Sequence, residues 1–173
     1  VFFGGSDPTK ETEKFLIAIE SSQIRDITYE LVVGAANPRA KEIELLCKNA
    51  PSVRFHFQTN QMDKLCERAD LALGTGGSAN WERFCFGVPT IVIATATNQV
   101  ETVSSLSEAG AIKFLGWHSD ISPIDIWTAI LDAVNNPSEM FDIAQCARQL
   151  ITEATNYGAK FVADRMQAIN RGN

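Results

Sequence analysis

No apolar run in this chain of 173 residues approaches the roughly 18 that cross a bilayer, and no basic leader runs into an apolar stretch and a cleavage site. The expectation is a cytoplasmic protein with no membrane span. Histidine is scarce, with His56 and His118 well separated, and Cys47, Cys66, Cys85 and Cys146 include no C-x-x-C pair. Neither a metal site nor a cofactor is expected. Each cysteine lies in a helical pattern among apolar neighbours and reads as a reduced core thiol. Positive charge is short as well, 15 Lys and Arg against 21 Asp and Glu, for a net charge of −6. A binder of nucleic-acid backbones needs a concentrated cationic face, so no nucleic-acid partner is expected and any phosphate falls to main-chain N–H groups. The Gly-Lys-Ser/Thr of a Walker loop is missing, as are internal repeats and low-complexity tracts. What remains, 45% hydrophobic, suits one globular domain over 1–173.

The residues that are present are organised around Gly74–Ile93, GTGGSANWERFCFGVPTIVI. After the apolar run Ala69–Leu73, Gly74, Gly76 and Gly77 let the backbone turn, Ser78 caps a helix, and Glu82 sits one turn inside it. Unpaired N–H groups and the helix dipole make such a start a seat for phosphate, and a carboxylate one turn further along can accept two vicinal hydroxyls of a ribose. A plain strand-to-helix connection uses the same residues, and the dipole alone favours a carboxylate near a helix start. On this window both readings stay open.

In chain order, Val1-Phe2-Phe3 reads as a buried strand with no initiator Met, which points to a fragment of a longer protein. GGSDPT is a second glycine turn feeding a helix, with Ser6 or Asp7 as cap, Pro8 in the first turn, and Phe15, Leu16 and Ile19 inward. Strand Tyr29–Val33 leads to a helix capped by Asn37, with Pro38 first and Ile43, Leu46 and Cys47 inward. Strand Val53–Phe57 leads to a helix capped by Asn60, with Asp63 completing an approximate capping box. Beyond the central stretch, strand Thr90–Ala94 passes through ATATNQ into a helix over Gln99–Ala109 closed by Gly110, and Ile112–Leu115 is the sixth strand. Ser122-Pro123 opens one helix, Ser138 caps the next, and the last covers 158–169. This alternation predicts an α/β fold with a doubly wound, parallel six-stranded sheet in the order 3-2-1-4-5-6. Its first and fourth strands then end in GGSDP and GTGGS at the switch point, where ligands bind, which favours the phosphate reading.

G-T-G-G-S-A also fits a dinucleotide fingerprint, but it follows the fourth strand, and the next strand is followed by Thr95-Ala96-Thr97-Asn98 with no acidic residue. The combination of GGSDP, ADLALGTGGSANWERFCFGVPTIVI and the A-x-N-Q element Ala96–Gln99 resembles the C-terminal domain of the PseG/SpsG family over nearly the whole chain. These nucleotide-sugar hydrolases share a two-domain glycosyltransferase-B architecture with the peptidoglycan GlcNAc transferase. The resemblance implies the Rossmann-like C-terminal half of that fold, binding a UDP-sugar opposite an N-terminal domain absent from this chain. It implies that Glu82 binds the ribose hydroxyls and that Gly76, Gly77 and Ser78 hold the diphosphate through N–H groups. Gly5 and Ser6 then approach the diphosphate or sugar from the other turn, Asn98 and Gln99 contact the sugar or distal phosphate, and uracil lies against Phe57–Met62. The water-activating histidine belongs to the N-terminal domain, so no catalytic residue is expected here. The implied reaction releases UDP from a UDP-linked diacetamido-trideoxy sugar, in pseudaminic acid or spore coat polysaccharide biosynthesis. A glycosyltransferase using a UDP-sugar donor and a non-catalytic sugar-nucleotide-binding module are the alternatives. Of the remaining residues, Trp81 is expected to pack between helix and sheet, Arg83 to form a surface or interdomain ion pair, Gly87-Val88-Pro89 to be a structural turn, and His56 and His118 to be structural.

Overall fold

The structure, a computed structural model, describes residues 1–20 and 27–154. The helix expected over 158–169 lies outside them. Strands β1 (Tyr29–Val33), β2 (Val53–Phe57), β3 (Ala72–Thr75), β4 (Thr90–Ala94) and β5 (Lys113–Trp117) alternate with helices α1 (Glu11–Glu20), α2 (Ala40–Cys47), α3 (Met62–Glu67), α4 (Ala79–Phe86), α5 (Thr97–Glu108), α6 (Pro123–Asn135) and α7 (Pro137–Ala154). All strand pairs are parallel. They make two small sheets, β1 with β2 and β3-β4-β5, in place of the single six-stranded sheet expected.

The segment expected as the first strand lies between these sheets. Phe2 makes isolated parallel bridges to Val32 on one side and Gly74 on the other. Its N–H donates to the Leu73 carbonyl at 3.0 Å, and the Val32 N–H donates to the Val1 carbonyl at 2.9 Å. No strand develops because Gly4, at φ +90°, turns the chain away two residues later.

The strands are covered on both faces. Every residue of β4 is buried, with Ile91 and Ile93 facing the larger core cluster and Val92 the smaller one. The larger cluster includes Phe15, Leu16 and Ile19 of α1 and Ile126 and Ile130 of α6, and the smaller is built on Phe84, Val103, Leu106 and Ala147.

Several local expectations are corrected. Helix α1 starts only at Glu11, so Pro8 sits in a preceding turn. Asp7 nonetheless caps the helix, its carboxylate accepting from the N–H of Glu11 at 2.9 Å and of Thr12 at 3.0 Å. Leu46 is 49% exposed, because the short α2 buries only the i, i+4 pair Ile43 and Cys47. Asn60 does not cap α3, which begins after Gln61 with no side-chain cap, and Asp63 completes no capping box there. Helix α5 begins at Thr97 because Ala96 is still extended, and Ser138 is already inside α7, whose first residue is Pro137. The four cysteines are unpaired, but only Cys47 and Cys66 are buried, and Cys85 is exposed.

Candidate functional site

The parallel strands bring all their carboxyl-end turns to one rim, and two of those turns enclose a pocket of about 270 Å3. Gly76, Gly77 and Ser78 supply one wall, from the turn between β3 and α4. Asn98 and Gln99, in the first turn of α5, supply the other. Five of the expected site residues thus share one cavity. Gly5 and Ser6 lie exposed on the turn after Phe3, and Glu82 is exposed on α4, so none of these three lines it. Gly5 instead sits beside the turn after β1, where a Cβ on Gly34 would come within 2.4 Å of the Gly5 Cα. A larger cavity of about 500 Å3 lies toward the amino ends of the strands, beside Val1, Glu30, Cys66 and Arg68. Apart from Met62, at the end of the segment expected beside uracil, it is lined by none of the expected ligand-binding residues.

The glycines of the central turn serve different needs. Gly74 belongs to β3 and not to the turn, and a Cβ there would lie 2.4 Å from the Phe2 carbonyl oxygen and 2.2 Å from the Arg83 guanidinium. A Cβ on Gly76 would lie 2.3 Å from the Val103 side chain of α5. Gly77 has no such constraint: the nearest atom to its Cβ position is 3.8 Å away, and its φ is not left-handed. Gly5 is equally open, with nothing within 4 Å. The fold itself does not require glycine at either position, so what their smallness preserves is open space on the rim.

Ser78 adopts helical backbone angles and makes no side-chain cap, contrary to expectation. The N–H groups of Gly77 and Ser78 donate to no described residue. Such orphan donors at the positive end of an eight-residue helix suit an anion. Gln99 is partly committed to its own loop: its Oε1 accepts from the Thr95 N–H at 3.0 Å and the Thr95 hydroxyl at 3.3 Å.

The two aromatic and cationic neighbours on α4 exchange their expected places. Trp81 does not pack between helix and sheet; it is 42% exposed, lines the pocket, and meets Phe84 edge to face at 5.6 Å. Arg83 is not on the surface and makes no ion pair among the described residues. It is 5% exposed and donates to the Asn80 Oδ1 at 3.0 Å and, 81 residues away, to the Phe2 carbonyl at 3.2 Å. Burial pulls its guanidinium down to about 10, which leaves it charged at neutral pH. Its depth was hidden from sequence reasoning because its distant partner is a main-chain carbonyl, which no residue pattern marks.

Gly87 closes α4 at φ +67°, as the structural turn requires. His56 bonds Glu30, which also accepts from Arg54 and Arg68. Desolvation raises the Glu30 carboxyl, but these partners outweigh it and hold it below its ordinary range. The segment Phe57–Met62 begins on the same rim, with Phe57 53% exposed and Gln58 in a left-handed conformation.

No protein-family model matches the chain. The chain is 32% identical over 117 residues to the spore coat polysaccharide biosynthesis protein SpsG of Bacillus subtilis, covering 67% of this chain and 34% of that protein. It therefore spans about a third of the length of this curated relative. Anabaena Alr3699/HepE, solved in complex with UDP-glucose, superposes with a TM-score of 0.71 at 14% identity, over 99% of this chain and 48% of that one. MurG of Acinetobacter baumannii gives 0.63 at 17% identity, over 86% of this chain and 44% of that one. No helix among the described residues is long and apolar enough to cross a membrane.

Proposed function

We propose, from a chain that belongs to the PseG/SpsG-like family of glycosyltransferase-B architecture and corresponds to its C-terminal domain, that this domain is the UDP-binding half of a nucleotide-sugar hydrolase. The whole protein would release UDP from a UDP-linked diacetamido-trideoxy sugar during surface polysaccharide biosynthesis. The observation that carries this reading is Gly77, a glycine for which neither contacts nor φ supply a reason within the fold, set beside orphan N–H groups on the carboxyl rim. A diphosphate needs such close backbone approach. UDP-glucose, with which HepE was solved, belongs to the same chemical class.

In this reading the N–H groups of Gly76, Gly77 and Ser78 hold the diphosphate. Helix-end dipoles fixed in advance of reaction stabilise charge as it grows on the leaving diphosphate, so they act on the transition state. Glu82 accepts the ribose hydroxyls from α4, with the nucleoside crossing the rim outside the pocket. Asn98 faces the sugar side, and Gly5 and Ser6 close the substrate from the neighbouring turn. The water-activating base comes from the N-terminal domain. A transferase using a UDP-sugar donor is the second reading, favoured by the likeness of the fold to WaaG, a glycosyltransferase involved in lipopolysaccharide biosynthesis.

Calorimetry of this chain with UDP, UMP and NAD tests the assignment. The expected result is UDP bound more tightly than UMP, no NAD binding, no UDP-sugar hydrolysis by the chain alone, and UDP affinity lowered about tenfold in Glu82→Ala, as for a lost hydrogen bond to a charged group. NAD binding without UDP binding would overturn it.

A further inference from the structure

A buried cation without a carboxylate partner among the described residues lies on α4, lining the larger cavity and touching the pocket only through Asn80. Among the described residues the Arg83 guanidinium makes no ion pair, and it donates to two uncharged oxygens, Asn80 Oδ1 and the Phe2 carbonyl. Because a guanidinium has donors and no acceptor, the amide oxygen of Asn80 is the atom that faces it, and Nδ2 is turned elsewhere. Asn80 is 1% exposed and lines the pocket, and its Nδ2 is buried with no hydrogen-bond partner among the described residues. Buried side-chain donors in folded proteins are paired in the large majority of cases, and one held unpaired by an orienting neighbour points to an acceptor from outside the chain.

We propose that Asn80 is a ligand-binding residue whose Nδ2 donates to a diphosphate oxygen in the pocket of Gly76, Gly77 and Ser78, and that Arg83 is the residue that positions this amide. This rests on the nucleoside-diphosphate reading above and names a donor that the sequence did not single out. The chemistry selects the diphosphate over a sugar hydroxyl. The unpaired groups gathered at the start of α4 are all donors, namely the N–H of Gly77, the N–H of Ser78 and the Asn80 amide. A hydroxyl wants an acceptor too, whereas phosphate oxygens only accept at neutral pH. The guanidinium adds positive charge from a dry position, where bulk ions screen it little.

The test is calorimetry with UDP and uridine on the wild-type chain, Asn80→Ala, Asn80→Asp, Arg83→Lys and the double variant Asn80→Ala/Arg83→Lys, with thermal unfolding confirming that each is folded. Loss of a hydrogen bond to a charged group predicts that Asn80→Ala weakens UDP by about tenfold or more and leaves uridine unchanged. Asn80→Asp keeps the shape and reverses the chemistry, so it weakens UDP further, and it carries the test if the alanine variant does not fold. Arg83→Lys loses the fork that orients the amide and weakens UDP, and in the double variant the loss is no greater than in Asn80→Ala alone. Equal losses for UDP and uridine, or unchanged UDP affinity in a folded Asn80 variant, would overturn the Asn80 assignment. Additive losses in the double variant would overturn the positioning role of Arg83. A wild-type chain that binds no UDP would instead remove the nucleotide-binding reading itself.

Discussion

Replacing Gly76 and Gly77 separately by alanine distinguishes a glycine needed by the fold from one reserved for a ligand. At Gly76 the new Cβ would stand 2.3 Å from Val103 Cγ2 and 3.2 Å from the Cβ of Gln99, and Val103 is fully buried. Overpacking of this kind costs about 1–3 kcal/mol. Removing glycine's freedom from the unfolded chain returns only about 0.4–1 kcal/mol. The clash wins, and Gly76→Ala is expected to be destabilised by about 1–2 kcal/mol, or ~2–8 °C in Tm for a domain of this size. At Gly77 nothing stands nearer than 3.8 Å, so only the entropic gain remains, and the variant should be as stable as the wild type or more so by up to about 1 kcal/mol. Its methyl group would nevertheless project into the proposed diphosphate seat, and UDP affinity should fall about tenfold or more, the loss of at least one charge-assisted hydrogen bond. Urea unfolding gives the stabilities and calorimetry the affinities. A Gly77→Ala variant that binds UDP like the wild type would refute the cradle, and an undisturbed Gly76→Ala would refute the packing of α5 against the turn.

Two further outcomes follow from single residues. The Glu11 carboxylate is inaccessible to solvent, and its Oε2 has no partner among the described residues; burial raises its carboxyl above 4.5, with the Lys14 ammonium only partly offsetting this. The folded state then holds the proton more tightly than the unfolded one, so stability is full below pH 4.5 and falls as pH rises through the folded value. Glu11→Gln should flatten that decline in urea midpoints measured from below pH 4.5 upward, and parallel profiles would contradict it. Trp81 lines the pocket, whereas Trp117 and Trp127 do not, so UDP should change the tryptophan emission of the wild-type chain and leave that of Trp81→Phe unchanged.

The alternation of apolar runs with 3.6-period segments made the strands and most helices legible, because burial on both faces of a parallel sheet leaves a strong signal in residue type. Glycine turns at the ends of strands likewise marked the rim, and five of the eight expected site residues share its pocket. Geometry that turns on single contacts was not legible. Ser78 has the composition of a cap but sits in helical backbone, and Gly74 looks like a turn residue but is required by the close approach of Phe2. Arg83 and Asn80 are polar residues three apart on a short helix, a pattern that ordinarily marks a solvated face. Their burial depends on the Phe2 carbonyl, whose position is set by the whole topology.

Main-chain donors in the turn from Gly76 to Ser78 also bear on how such a site can change through descent. An amide N–H belongs to every residue but proline, so substitution of side chains cannot delete it. Apart from Gly76 and Gly77, where an added methyl would clash or obstruct, side chains around this turn can change while the donors persist, and only a shift of the backbone or an inserted proline abolishes them. Variation in what the rim recognises would therefore be concentrated in the few side chains that reach it, Asn80, Trp81 and Asn98 among them.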